Sequence, residues 1–146
     1  MAQNPKRPIS PHLQVYKWGP HMAVSIFHRA TGFVLATAGA LTLLWWLASI
    51  AGGPESYATF EQYVLAAGQE QTQLQVISNW FFRMVALAVL FSFFQHSFSG
   101  IRHLLMDMGA GYELSTSRTW SIAVFIASLT STALVAMLAI SRFLGI

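Results

Sequence analysis

Residues 30–54 read ATGFVLATAGALTLLWWLASIAGGP, twenty-five consecutive positions without one Asp, Glu, Lys or Arg. A bilayer core about 30 Å thick is crossed by about 20 apolar residues rising 1.5 Å each. This run is long enough. Two more have the same character: residues 84–101, MVALAVLFSFFQHSFSGI, and residues 119–141, TWSIAVFIASLTSTALVAMLAIS. In lipid a helix satisfies its own backbone hydrogen bonds, so each run predicts a transmembrane helix. The predicted fold class is an all-α integral membrane protein with three spans. The first run is no signal peptide, because it starts too deep, runs too long and is followed by further spans. Three core helices of a soluble bundle would need charged outer faces, which these runs lack.

Composition supports this reading and removes other classes. The chain has 146 residues, of which 9% are charged and 55% hydrophobic, with a mean hydropathy of +0.53. Soluble domains carry about 25% charged residues. A net charge of +3 and a pI near 9.7 come without a dense basic stripe, which argues against a nucleic-acid partner. With no cysteine in the chain, disulfides, iron–sulfur ligation, Cys-type zinc sites and C-x-x-C-H haem attachment are excluded within it.

Between the spans the composition changes, and residues 1–146 divide as a single membrane-anchor domain. Residues 1–20 form an arm with Pro5, Pro8, Pro11 and Pro20, extended rather than helical. Spans are predicted at about 22–51, 78–108 and 118–142. The loop 52–76 opens on Gly52-Gly53-Pro54, and its Tyr57, Phe60, Val64 and Ala67 recur at helical spacing, which predicts a short interfacial helix. Gly109 and Gly111 stop the second span at a tight turn. Lys6, Arg7, Lys17, Arg102 and Arg118 mark one side, whereas the first loop holds Glu55, Glu61 and Glu70 and no Lys or Arg. Only Arg83 and Arg142 oppose them. The positive-inside rule then predicts the N-terminus and the arm inside, the 52–76 loop and the C-terminus outside.

Polar groups within spans are costly and default to function. Ser25-Ile26-Phe27-His28-Arg29 stands at the inner end of the first span. On the second, Ser92, Gln95, His96, Ser99, Gly100 and His103 follow helical steps along one face. His96 and His103 are about 10.5 Å apart along the axis, too far to share one metal ion. Antiparallel spans put His28 and Arg29 near the inner interface, His103 near the surface and His96 about two turns deep. This suits a b-type haem on edge, with His96 as axial ligand, propionates toward Arg29, His28 and His103, and Gly100 clearing room for the macrocycle. The residues alone leave other readings open. His96 also fits a helix–helix hydrogen bond, His103 a headgroup contact, Arg29 a snorkelling cation and Ser25 a helix cap. His12 and His21 read as contact residues of the arm. The Gly32, Ala36, Ala40 row reads as close helix packing, and Trp45, Trp46, Trp80 and Trp120 as interfacial belts or lipid-facing bulk.

Three blocks in order carry a resemblance: RPISPHLQVY, SIFHRATG at residues 25–32 and HSFSGIRHLLMD at residues 96–107. Together they resemble the cytochrome b membrane-anchor subunits of succinate dehydrogenase, respiratory complex II. The family's three-span plan covers the chain. The first loop and third span carry no motif of it.

The resemblance implies a multi-subunit helical bundle and a heterotetramer. A flavoprotein oxidises succinate, an iron–sulfur subunit relays electrons, and two hydrophobic anchors hold haem b and help build the ubiquinone site. It places the haem-ligating histidine on His96, the quinone-site residues on Ser25 and Arg29, and a residue near a haem propionate on His28. His103 and Asp107 receive supporting roles, and the second axial ligand is expected from the partner anchor. The chain would be part of an enzyme and not an enzyme by itself, having no dinucleotide motif or cluster ligand of its own. A bacterial cytoplasmic membrane is expected over a mitochondrial one, since no Arg/Ser-rich transit segment precedes the motif. Three alternatives stand beside this: a haem-free structural anchor, a fumarate reductase anchor, and a small transporter using an intramembrane histidine relay.

Overall fold

In the computed structural model, residues 10, 12–65 and 72–144 are described, the side chains of 142–144 excepted. Lys6, Arg7, Ala67, Glu70 and the first three prolines of the arm lie outside them.

Helix α1 spans Pro20–Val34. Gly19 is its N-cap, and Pro20 at the first position loses no hydrogen bond there and presets a helical φ. Ser25 therefore lies inside the helix, which corrects the capping alternative for that residue. A π-helical turn at Leu35–Gly39 joins α1 to α2, Ala40–Ala51, as one long rod. Gly53, at φ 87°, turns the chain into α3, Pro54–Phe60, which runs on as a π-turn at Glu61–Leu65. The loop thus carries helix where its spacing called for one.

Helix α4 spans Gln73–Asp107 and extends past its charge-free run at both ends. A capping box explains the early start. The Gln75 N–H donates to Thr72 Oγ1 at 3.3 Å while the Thr72 N–H donates to Gln75 Oε1 at 2.8 Å. Gly109, at φ 89°, closes the other end by donating to the Met106 carbonyl at 2.8 Å. Gly111, at φ 77°, leads into α5, Leu114–Leu144. A Cβ at Gly111 would meet the Trp120 ring at 2.6 Å, so this turn lies flat on that indole.

Three helical stretches are long and apolar enough to cross a membrane: Pro20–Ala51, Gln73–Asp107 and Leu114–Ser141. Among the described residues there is no strand. Helix α4 packs against both α1 and α5, and α1 also touches α5. The molecule is inside-out by soluble standards. Its buried apolar residues, among those described, are only Val24, Phe60 and Val124, whereas Thr31, Ser92, Gln95, Ser99, Arg102, Ser121 and Ser128 are buried. Large apolar side chains such as Phe33 and Leu41 are 70% and 68% exposed. A lipid solvent accounts for this, because apolar burial gains nothing there and small or polar residues let helices approach. The serines return their hydroxyls to their own helix: Ser121 Oγ donates to the Ser117 carbonyl and Ser128 Oγ to the Val124 carbonyl, both at 2.7 Å.

At the loop end, Trp45 packs on Phe60 and on Phe82 with ring centroids 5.2 Å apart in each case. Ser78 Oγ donates to the Tyr63 carbonyl at 2.9 Å. Trp45 is thus a joint between α2, α3 and α4 as well as interfacial bulk. The opposite end carries the histidines.

Candidate functional site

Histidines 28, 96 and 103 meet across the α1–α4 contact. His28 and His96 stack with centroids 4.0 Å apart and planes within 9°. His103 approaches His28 edge-on at 5.1 Å. The convergence follows from helical register: His96, Ser99 and His103 sit one turn apart along α4, and His28 enters from α1. Among the described residues no three His, Cys, Asp or Glu side chains are arranged to hold a metal ion by themselves.

Hydrogen bonds fix both rings. His96 Nδ1 is 3.0 Å from the His28 carbonyl oxygen. A carbonyl only accepts, so Nδ1 carries a proton, and Nε2 is the nitrogen left to face a ligand. His28 Nδ1 is 2.7 Å from Ser99 Oγ. Ser99 Oγ donates onward to the Gln95 carbonyl at 2.5 Å, so it accepts from His28 Nδ1–H. Ser99 is fully buried, and its one hydroxyl thereby orients a ring on the neighbouring helix.

Space for the His96 ring comes from Gly32. A Cβ at Gly32 would stand 3.0 Å from His96 Cε1 and 3.3 Å from Nδ1. At Gly100 a Cβ would meet only His28 Cε1, at an ordinary 3.7 Å. The room at Gly32 is thus taken by an imidazole, whereas Gly100 leaves open space beside His28.

Ser25 and Arg29 lie one turn apart on α1, at the same end of the bundle as the histidines. Ser25 is half-buried and Arg29 exposed. Neither is drawn into the contact between His28 and α4. The sequence reading treated Arg102 as a flanking charge. The structure buries it, with Nη2 donating to Ser117 Oγ at 2.8 Å. Gln95 is also buried, and its amide has no partner at either end.

The donor set suits a haem better than a protein-only metal site. One imidazole presents Nε2 while its Nδ1–H is held by a backbone carbonyl, the arrangement that fixes a ligating histidine. Two more histidines and an arginine stand toward the same end, as carboxylates require.

Comparison with known proteins gives one consistent answer. Residues 3–135 match the family described as succinate dehydrogenase/fumarate reductase transmembrane subunit. The chain is 32% identical over 132 residues to the mitochondrial succinate dehydrogenase cytochrome b560 subunit of Bos taurus, covering 90% of this chain and 71% of that one. It is 30% identical over 129 residues to the succinate dehydrogenase cytochrome b556 subunit of Rickettsia felis, covering 88% and 90%. It is 30% identical over 122 residues to the cytochrome b556 subunit of Paracoccus denitrificans, covering 84% and 83%.

Proposed function

The chain belongs to the succinate dehydrogenase/fumarate reductase transmembrane subunit family, and on that premise we propose that it is a membrane anchor of complex II that helps bind haem b and form the ubiquinone-reduction site. The observation that carries this is the Nδ1–H of His96 held on the His28 carbonyl, which leaves Nε2 as a ligand.

In this reading His96 on α4 would hold the haem iron through Nε2, and a second hydrophobic anchor would supply a further ligand. His28 and His103 stand on the propionate side together with Arg29. Bound there, haem b supplies a one-electron reservoir beside the quinone. Ser25 donates its hydroxyl to a quinone carbonyl. Arg29 faces the oxygen on which negative charge develops during reduction, the placement in which a preorganised donor accelerates most. Succinate oxidation releases two electrons and two protons in the partner subunits. The quinone takes up two of each, the protons from the inner aqueous side. The chain contributes helix, ligand and quinone donors; the flavin and the iron–sulfur clusters belong to partners. Names among the relatives favour succinate oxidation over fumarate reduction. The orientation has the N-terminus inside, in a bacterial cytoplasmic membrane.

The test is gentle solubilisation of the assembled complex, followed by a subunit inventory and a reduced-minus-oxidised spectrum. A flavoprotein, an iron–sulfur subunit, a second anchor and a b-type absorbance are expected. Co-purification without haem absorbance would reduce the chain to a structural anchor. Absence of the soluble subunits would overturn the reading.

A further inference from the structure

Gln95 is fully buried within α4, and both the nitrogen and the oxygen of its side-chain amide are without a hydrogen-bond partner. An unmet amide inside a bilayer is costly, because lipid tails replace none of the missing bonds. The amide is sealed from the surface of the chain, so neither a headgroup nor a neighbouring subunit reaches it. Its partner has to sit inside the seam between the helices.

Two other buried polar side chains stand at the same depth. The rings of Phe27 and Phe125 meet at 5.2 Å, which sets α1 level with α5, and the contact of His28 Nδ1 with Ser99 Oγ at 2.7 Å sets α1 level with α4. Counted from these contacts, Thr31 on α1, Gln95 on α4 and Ser128 on α5 fall within about 3 Å of one another along the bundle axis. Thr31 is 4% exposed and Ser128 not at all.

The chemistry of these neighbours narrows the choice of partner. Thr31 Oγ1 donates to the Phe27 carbonyl at 2.6 Å, and Ser128 Oγ donates to the Val124 carbonyl at 2.7 Å. Ser99, one turn along α4, gives its hydroxyl hydrogen to the main-chain carbonyl of Gln95. The hydroxyl hydrogens of all three are thus committed to backbone, and only oxygen lone pairs are left. Lone pairs accept from the amide Nε2 but cannot donate to Oε1. A group that meets both ends of the amide must bring donors and an acceptor of its own, and it must be small. Water meets these terms, and buried waters make about three hydrogen bonds each.

We propose that the α1–α4–α5 seam holds an internal water on Gln95. The water accepts from Nε2–H, donates one hydrogen to Oε1 and gives the other to the hydroxyl oxygen of Thr31 or Ser128. One molecule then joins neighbouring helices at a depth where lipid offers no polar contact. The site lies wholly within this chain, so it stands whatever assembly the chain joins.

A density map of the protein in its native assembly, at a resolution that shows ordered water, tests this. A peak at hydrogen-bonding distance from both ends of the Gln95 amide is expected in wild type. Gln95→Met keeps the length of the side chain without its polar ends, and the peak should vanish. Thr31→Val combined with Ser128→Ala removes the other acceptors and should weaken or abolish the peak while Gln95 is intact. Absence of the peak in wild type would overturn the proposal, as would an amide rotated into direct bonds with Thr31 or Ser128. Thermal melting gives a second reading. Exchanging a water-satisfied amide for an apolar chain should leave the melting temperature of Gln95→Met near that of wild type. A clear rise would show that the wild-type amide is buried unpaired, and would also overturn the proposal.

Discussion

The imidazole of His96 lies flat on that of His28, their centroids 4.0 Å apart, while its Nδ1 is held by the backbone carbonyl of the same residue. Thus His28 orients the candidate ligand twice, by its ring and by its main chain, and only the first contact depends on its side chain.

The expected consequence is an asymmetry between the two histidines. His96→Leu removes the Nε2 ligand and should abolish the b-type reduced-minus-oxidised signal of the assembled complex. His28→Ala leaves the carbonyl in place and should keep most of the haem, with a shifted band or potential. Equal haem loss in both variants would contradict the division of roles.

A glycine pair offers a second comparison. Gly32→Ala puts a Cβ 3.0 Å from the His96 ring, and overpacking of this kind costs about 1–3 kcal/mol. Gly100→Ala meets ordinary contact distance and gains helix propensity, so it should be neutral or stabilising by up to about 1 kcal/mol. Haem-to-protein ratio and thermal unfolding of the complex should fall for the first variant only.

Much of the architecture was legible in the sequence, and the physical reason is the bilayer. Lipid excludes charge over a fixed thickness, so three charge-free runs are enough to count spans. Register within one helix was legible too, since steps of three and four place His96, Ser99 and His103 on one face. Contacts between helices were not. His28 and His96 are 68 residues apart, and no periodicity says which face of α1 meets which face of α4. That is why the close approach of Gly32 to the His96 ring, between neighbouring helices, was not foreseen. The burial of Arg102 was illegible for a related reason: a cation at the end of an apolar run looks the same in sequence whether its guanidinium is exposed or packed against a neighbouring helix. Ser25 fitted a cap by residue type, but the helix already begins at Pro20, where proline suits the first position.

Arg29 and Ser25 should separate by size of effect on quinone chemistry. Arg29→Leu removes the cation proposed to face developing charge and should lower quinone reduction about a hundredfold. Ser25→Ala removes one neutral hydrogen bond and should cost about tenfold or less. Succinate oxidation by an artificial acceptor should stay near wild type in both. Parallel loss of the two activities would indicate failed assembly rather than a quinone role.

Ser99→Ala tests the buried link between the helices. It strips His28 Nδ1 of its partner in a dry seam, where an unmet donor costs about 1–3 kcal/mol. The complex should melt earlier, and Ser99→Thr, which restores the hydroxyl, should recover most of the loss. An unchanged melting temperature for Ser99→Ala would mean that water replaces the hydroxyl.

The membrane orientation rests on where cations gather, and the structure sharpens how that count should be read. Arg83, the first basic residue on the loop side, lies over the Trp80 ring at 5.2 Å, a cation held by an aromatic at a span end. Arg102 is buried beside α5, so the count is best taken without it. Lys6, Arg7, Lys17 and Arg118 still outnumber Arg83 and Arg142. The chain has no cysteine, so single thiols report cleanly. Glu55→Cys on α3 and Glu113→Cys before α5 are both exposed, at opposite ends of the bundle. A membrane-impermeant maleimide should label the first in intact spheroplasts and the second only after lysis. The reverse pattern would invert the topology, and with it would move Arg29 and the histidines to the outer face, away from the soluble subunits proposed to deliver the electrons.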